Sequence, residues 1–318
     1  MEQSIRMLDL NSPAVPGLVS IVIPAYRSER FIGETLNSVA QQRYTNWELI
    51  VIEDDPNANS REIVMEFAEE NPDHRVVYQC NPKNMGPSPS RNHGIGLSNG
   101  EFIALLDSDD RWLPSHLEKS IEALVSSNCD IAYSSVLMVE DETELLLGIW
   151  GPSANELRIF PHGLWDRNTI TPSATILRRN VFEVVGGWEH DVKYCEDASL
   201  WLRCVAAGKS FVHIGGCHCL YRKNHAGSFS QEMAGMLESF AHVTERFLVI
   251  SGIRTKTCRN YSSRAYARAA VRHQLGDSTL DRSVKRQHIA PLYYKAWRLR
   301  PKRIAYLMRS AFYHIKYC

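Results

Sequence analysis

The chain has 318 residues, 44% of them hydrophobic, with 18 Gly, 14 Pro and 8 Cys. That length buries a substantial core without covalent staples and suits one large α/β domain with an appendage, or two ordinary domains. Its mean hydropathy is negative and no apolar run approaches the roughly 20 residues that span a bilayer, which argues against an integral membrane protein. Residues Met1 to Gly17 lack the basic-then-apolar pattern of a secretory signal, so the chain is expected in the cytosol. With no C-x-x-C pair, the cysteines read as reduced thiols. Cys217 and Cys219 alternate on an expected strand and are weak candidates for a metal. Lys+Arg and Asp+Glu number 36 each, yet residues 1–230 carry 19 basic and 31 acidic side chains while residues 231–318 carry 17 and 5. A basic tail points to an anionic partner: lipid headgroups, nucleic acid or the acidic body itself.

Leu18 to Pro24 is a nearly continuous apolar run ended by proline, the pattern of a buried parallel strand. Apolar residues Phe31, Ile32, Leu36 and Val39 recur at helical spacing between Glu29 and Gln42. Trp47 to Glu53 repeats the strand pattern, Ser60 starts a helix to about Glu70, and Arg75 to Gln79 is a third strand. Gly86 to Ser98 reads as helix, Glu101 to Asp107 as the fourth strand, and Pro114 to Ser127 as a helix with proline in its first turn. Four strand-helix pairs in 127 residues predict a doubly wound, mostly parallel sheet flanked by helices. Its ligands belong at the carboxyl ends of the strands.

Three of those ends carry polar or acidic clusters: Pro24-Ala25-Tyr26, Glu53-Asp54-Asp55 and Asp107-Ser108-Asp109-Asp110. Each also fits an ordinary turn, but six carboxylates on one rim repel unless a cation or donors compensate. Oxygen ligands of this kind suit Mg²⁺ or Mn²⁺ and leave coordination positions for substrate phosphates. Neither a Gly-x-x-x-x-Gly-Lys loop nor a Gly-x-Gly-x-x-Gly turn follows the first strand, so a phosphate is expected to be held through the metal.

Val19 to Tyr26, Trp47 to Asp54, Ser90 to Asp110, Gly186-Gly187-Trp188 and Cys195-Glu196-Asp197 stand in the order seen in family-2 glycosyltransferases, and residues 18–230 resemble that family. The resemblance implies the GT-A fold, a nucleotide-sugar donor, a divalent metal (Mn²⁺ or Mg²⁺) and inversion at the anomeric carbon. It implies that Pro24, Ala25, Tyr26 and Glu29 border the nucleoside, that Asp54 contacts base or ribose, and that Asn84 and Arg91 line the nucleotide. Asp107, Ser108 and Asp109 match the Asp-x-Asp motif, with Asp107 and Asp109 as metal ligands. Glu53 stands where the family usually has Asp, Asp55-Pro56 where it has Gly-Ser, and Arg27 replaces a common Asn.

Leu200-Trp201 and Cys204-Val205 predict a helix ended by Gly208, with Asp197 near its N-terminus. By itself Asp197 is an ordinary cap; the resemblance makes it the general base, with Glu196 orienting it or touching the acceptor. Tyr221 to Ser230 resembles the segment that closes the family's domain, which makes His225 a metal or diphosphate contact; Arg222 and Lys223 either hold the diphosphate or face solvent. The domain plan is thus an N-terminal extension (1–17), a GT-A domain (18–230) and a basic helical region (231–318). That last region has no strand pattern and reads as helices near Phe240 to Ile250, Tyr261 to Leu275, Asp281 to Leu299 and Pro301 to Tyr317. In the last helix Ile304, Leu307, Met308, Ala311, Phe312 and Ile315 form an apolar stripe among Lys302, Arg303, Arg309 and Lys316. That composition suits either a membrane surface or packing on the body.

The expected activity is metal-dependent transfer of a sugar, UDP-linked by expectation, to a saccharide or lipid-linked acceptor in surface polysaccharide or glycolipid synthesis. A peripheral position at the inner face of the cell membrane goes with it, and no nucleic-acid partner is expected. A sugar-phosphate nucleotidyltransferase and a non-catalytic nucleotide-sugar binding module are the alternatives.

Overall fold

The structure is a computed structural model that describes residues 10, 13–57, 60–223, 233–250, 256–276 and 282–316. It separates into two compact units: Met1–Pro152, Thr169–Asp191 and Arg203–Ala226 form the first, and Ser153–Asn168, Val192–Leu202 and Gly227–Cys318 the second. The second unit therefore gathers two segments from earlier in the chain as well as the basic region.

In the first unit, β1 (Val15–Ala25), β2 (Trp47–Glu53), β3 (Val76–Cys80) and β4 (Gly100–Leu105) alternate with α1 (Ile32–Ala40), α2 (Ser60–Glu70) and α3 (Pro87–Gly96). The four strands lie in the order β3-β2-β1-β4, and all three pairings are parallel. Every residue of β2 is buried, as a strand covered on both faces must be. Val19, Ile21 and Ile23 pack with Ile32, Leu36 and Val39 of α1 and Val64 of α2 in one core cluster. The opposite face belongs to α3: a Cβ on Gly94 would meet Val22 Cγ1 at 2.6 Å and Ile52 Cγ1 at 3.3 Å. Only glycine permits that approach of helix to sheet.

Beyond β4 the sheet becomes mixed. β5 (Arg111–Trp112), α4 (His116–Ser127), β6 (Ile131–Glu140) and β7 (Leu146–Trp150) follow in the chain. After the short helix α5 (Ala154–Arg158) come β8 (Thr175–Arg178), α6 (Asn180–Val185), α7 (Glu196–Ala206) and β9 (Phe211–Lys223). The order continues β4-β8-β6-β9-β5, with β7 on β6. β8 runs antiparallel to both β4 and β6, so the parallel half joins the rest through one reversed strand. Cys217 and Cys219 do lie on a strand, β9, and they, like Cys80, Cys129, Cys195 and Cys204, are free thiols.

The second unit contains α5, the N-terminal part of α7, and the helices α8 (Met233–Ile250), α9 (Lys256–Gly276), α10 (Arg282–Leu299) and α11 (Ile304–Lys316). Ala265, Ala269, Ala270, Ala290 and Ala296 make up much of its core, with Tyr266 and Tyr293 filling the spaces between. Small residues at the crossings allow α9 and α10 to approach closely; Ser263 Oγ donates to the Ala296 carbonyl at 2.7 Å. Among the described residues no helix is long and apolar enough to cross a membrane.

His116, in the first turn of α4, is fully buried and its ring lies tilted against that of Trp112, the centroids 4.6 Å apart. Neither ring nitrogen has a hydrogen-bond partner among the described residues. Burial, reinforced by His218, pushes its pKa down to about 3, so the folded protein keeps it neutral. As pH falls below the ordinary histidine value of about 6.5, the unfolded chain gains a proton that the folded one refuses. Stability then drops by about 1.4 kcal/mol per pH unit from this residue. His116→Leu should remove that contribution, and urea unfolding at pH 7 and pH 5 should show a smaller loss for the variant than for the wild type.

Candidate active site

The sheet brings the three acidic or polar strand ends side by side. β2, β1 and β4 are neighbours; Ala25 pairs with Glu53, Asp54 N–H donates to the Ala25 carbonyl at 2.7 Å, and Leu106 N–H donates to the Val22 carbonyl at 3.2 Å. Pro24, Ala25, Tyr26, Glu29, Asp54, Asn84, Arg91, Asp107, Ser108 and Asp109 all belong to this unit. Ala25 is buried and Tyr26 exposed. Arg27 adopts φ +50°, which turns the chain after β1, and its Nε lies 3.3 Å from Asp55 Oδ2.

Asp54 is buried, and its oxygens are engaged within the protein. Oδ1 accepts from Asn81 Nδ2 at 2.8 Å and Met85 N–H at 2.9 Å; Oδ2 accepts from Gly86 N–H at 2.6 Å. Gly86 directly precedes α3, which has no side-chain cap of its own, so Asp54, just beyond β2, ties down the entry to this helix, where its negative charge is favourable. The same bonds fix the loop that carries exposed Asn84. Glu53 is fully buried and accepts from Ser60 Oγ and from the N–H groups of Asp54 and Asp55; burial raises its pKa.

The turn after β4 is held from several sides. Arg91 Nη2 meets Asp107 Oδ1 at 2.6 Å, while its guanidinium lies over the Trp188 ring at 4.5 Å. Asn92 clasps Trp188, accepting its N–H at 2.7 Å and donating to its carbonyl at 2.8 Å. A Cβ on Gly187 would stand 2.4 Å from Asn92 Oδ1, a physical reason for glycine in the Gly-Gly-Trp run. Beneath the turn, Asp110 is fully buried; Ser173 Oγ donates to its Oδ2 at 2.5 Å and Arg222 N–H to its Oδ1 at 3.0 Å. Burial, then repulsion from Asp109 and Asp107, pushes its carboxyl well above the usual range. Thr35 Oγ1 lies 3.0 Å from the Ser108 carbonyl and 2.8 Å from that of Asp110.

Arg222 neither faces solvent nor is open to a diphosphate. Its side chain is buried and ion-paired with Glu34 at 2.7 Å, Asp141 at 3.1 Å and Glu144 at 3.2 Å, and its Nε donates to the Asp109 carbonyl at 3.1 Å. Ser173 and Arg222 are thus supports that residue-by-residue reading misses. Ser173 carries no local signal; for Arg222, the excess of acids near 140–144 is the only hint. Lys223 is held below its ordinary pKa by burial, which Asp110 and Asp109 partly offset.

Asp107 and Asp109 supply hard oxygen donors from one turn, Asp107 being also paired with Arg91. Among the described residues no group of three or more His, Cys, Asp or Glu is arranged to hold a metal by itself. The donor set therefore fits a cation such as Mg²⁺ or Mn²⁺ that takes one or two carboxylates and fills its shell with substrate and water oxygens. His225 lies outside the described residues.

In the second unit, α7 begins at Glu196, directly after Cys195 at φ +60°. Asp197, in its first turn, accepts from Ala198 N–H at 2.7 Å and Asn168 Nδ2 at 2.6 Å. Cys195 Sγ donates to the Met236 carbonyl at 3.3 Å; burial, then Asp197 and Glu196, raise its pKa. Asn168 is a partner that sequence reading does not identify.

A family model described as glycosyl transferase family 2 matches residues 20–186. The chain is 36% identical over 126 residues to the UDP-Glc:alpha-D-GlcNAc-diphosphoundecaprenol beta-1,3-glucosyltransferase WfgD of Escherichia coli, a match spanning 40% of this chain and about half (48%) of that protein. Among solved structures, S. aureus TarS 1-349 in complex with UDP-GlcNAc aligns with a TM-score of 0.71 at 16% identity, covering 94% of this chain and 88% of that one. A mannosyltransferase from Pyrobaculum calidifontis in complex with GDP-Man and Mn²⁺ aligns with a TM-score of 0.59 at 16% identity, covering 98% and 90%. At those identities the likeness shows a shared fold.

Asp54→Asn should weaken the protein even without nucleotide, because its new amide cannot accept both the Met85 and Gly86 N–H groups. A loss of about 1–3 kcal/mol is expected, read by chemical unfolding of ligand-free protein; an unchanged stability would mean that Asp54 does not hold the loop.

Proposed function

Because the chain belongs to glycosyl transferase family 2, a family of sugar-transferring enzymes, we propose that it moves a sugar from a nucleotide-sugar, UDP-linked, to a hydroxyl of a saccharide or lipid-linked acceptor with inversion. The observation that carries this reading is the Asp107-Ser108-Asp109 turn at the carboxyl end of β4, within the matched region and beside the ends of β1 and β2. The names of the E. coli relative and of the TarS complex, which carry UDP-Glc and UDP-GlcNAc, support a UDP-sugar donor. The diphosphoundecaprenol in the relative's name supports a lipid-linked acceptor and a place in surface polysaccharide or glycolipid synthesis.

Asp107 and Asp109 would hold Mn²⁺ or Mg²⁺, which when bound neutralises charge on the departing diphosphate. Arg91 keeps Asp107 oriented, and Asp110 with Ser173 fixes the turn from below. The loop with Asn84, tied down by Asp54, borders the nucleotide together with Pro24, Ala25, Tyr26 and Glu29. Asp197 takes the proton of the acceptor hydroxyl as that oxygen attacks the anomeric carbon opposite the diphosphate. Its bonds from Ala198 N–H and Asn168 and its place in the first turn of α7 favour the ionised form, so the base is ready at neutral pH. Glu196 orients it or touches the acceptor. A nucleoside diphosphate leaves as a stabilised anion, so one carboxylate suffices; glycosidases, whose leaving group is an alkoxide, need a second as acid.

The basic region gives the enzyme an attraction to an anionic membrane surface. On α11, Ile304 and Met308 are exposed one turn apart on a helix that also carries Arg309, just after Lys302 and Arg303. Each basic residue near an anionic leaflet contributes about 1 kcal/mol, enough to concentrate the enzyme at the inner face of the membrane.

Asp109→Ala should abolish Mn²⁺-dependent binding of a UDP-sugar in a thermal-shift screen; retained binding and turnover would overturn the metal assignment. Asp197→Asn should lower transfer by at least about 10²-fold while donor binding stays intact, and unchanged turnover removes Asp197 as the base. The nucleotide product should be a nucleoside diphosphate; release of pyrophosphate would instead indicate a nucleotidyltransferase. For the tail, co-sedimentation with anionic vesicles should be strong at low salt and weak at high salt, and absence of binding at both would sink this membrane role.

A further inference from the structure

The helix α9 carries Lys256, Arg259, Arg264, Arg268 and Arg272 and no acidic residue. Arg264, Arg268 and Arg272 recur every four positions, so they follow one another along one face with about 6 Å of rise between them. All three are exposed, and between Arg259 and His273 the exposed positions are arginines only. The Arg264 guanidinium lies over the Tyr261 ring at 5.1 Å. Neither Arg264 nor Arg272 has an ion-pair partner among the described residues. Two permanent cations therefore face solvent on a helix that has no acid to answer them.

Arg268, between them, is engaged, and its bonds lead to the candidate base. Its Nη2 donates to the Asp166 carbonyl at 2.6 Å and lies 3.2 Å from Asp166 Oδ1. Two residues further on, Asn168 donates to Asp197. From the other direction Ala198, which follows Asp197, shares a core cluster with Ala265 and Ala269 of α9. All of these residues belong to the second unit. One helix thus supports Asp197 twice, through the Asp166 segment and through packing, and presents arginines beside the segment that holds it.

We propose that Arg264 and Arg272, flanking Arg268, bind the diphosphate that joins a lipid-linked acceptor saccharide to its lipid, while Asp197 receives the proton of that saccharide's hydroxyl. Phosphate suits the site, because a guanidinium offers two parallel N–H groups to its oxygens and keeps its charge at neutral pH. Arginine side chains are long enough for two that stand two turns apart to converge on one diphosphate. The exposed face of α9 has no apolar side chain to enter hydrocarbon, in contrast to Ile304 and Met308 of α11, so its ligand is the charged link rather than the lipid. The arginines hold the acceptor and take no part in the transfer step. This assignment rests on the transfer to a lipid-linked acceptor proposed above and adds the residues that recognise the acceptor's charge.

The probe is decyl diphosphate, titrated calorimetrically below its micelle concentration into the full chain with UDP and Mn²⁺ saturating, so that the donor site is filled. The wild type should bind it, and the double variant Arg264→Gln, Arg272→Gln should bind at least about tenfold more weakly, the loss expected for two charge-assisted contacts. A control, Arg259→Gln with Arg298→Gln, removes the same charge from exposed positions elsewhere in the unit and should bind as the wild type does. Equal melting temperatures of the three proteins show that they are folded. No binding by the wild type, equal binding by the wild type and the Arg264 and Arg272 variant, or equal weakening in both variants overturns the proposal. Unchanged diphosphate binding together with loss of binding to phosphatidylglycerol vesicles in that variant would assign the arginines to the membrane surface instead. If none of the three proteins binds UDP with Mn²⁺, the glycosyltransferase reading fails by itself. The titration repeated in EDTA without UDP then still decides whether these arginines hold a diphosphate.

Discussion

The carboxylate of Asp110, buried directly under the turn after β4, is the constraint on which the rest of the site depends. A buried acid must be protonated or surrounded by donors, and Asp110 receives one donor from Ser173, just before β8, and one from the backbone of Arg222 in β9. Because β8 pairs with β4 and β9 pairs with β5, these bonds draw three distant parts of the chain around one turn. Ser173 also accepts the N–H of Asp107 at 3.1 Å, so the support beneath Asp110 sets the backbone from which Asp107 and Asp109 extend.

Arg222 extends that constraint outward. An arginine removed from water is costly unless its donors are filled, and Glu34 on α1, Asp141 and Glu144 on the β6–β7 hairpin, and the Asp109 carbonyl fill them. One guanidinium thereby connects the first helix, the turn and the hairpin. Asp54 plays a similar part on the other side, fixing the loop that leads into α3. In both cases a charged side chain spends its bonding capacity on the protein and fixes a neighbouring loop or turn.

Much of this architecture is legible in the order of residues. Leu18–Pro24, Trp47–Glu53 and Glu101–Asp107 read as strands because a strand buried on both faces needs an unbroken apolar run, and β1, β2 and β4 lie where those runs are. Helix limits shift by a few residues at their frayed ends, α1 beginning at Ile32 rather than Glu29. The reversed β8 and the β6–β7 hairpin are not legible in the same way. β8 is only four residues long, and the leucines of β7 face outward, so neither carries the alternation that burial of one face imposes.

The sequence by itself determined the alternating strands and helices, the acidic strand ends and the family they match, because those signals are local: periodicity, capping and short motifs act over a few residues. Only the tertiary structure decided which charges are spent on the fold and which remain for chemistry. Arg222 reads as a free cation in a polar run, yet it is bound to a glutamate 188 positions away. Burial makes that pairing obligatory, and burial depends on distant strands meeting, which no short stretch of sequence records.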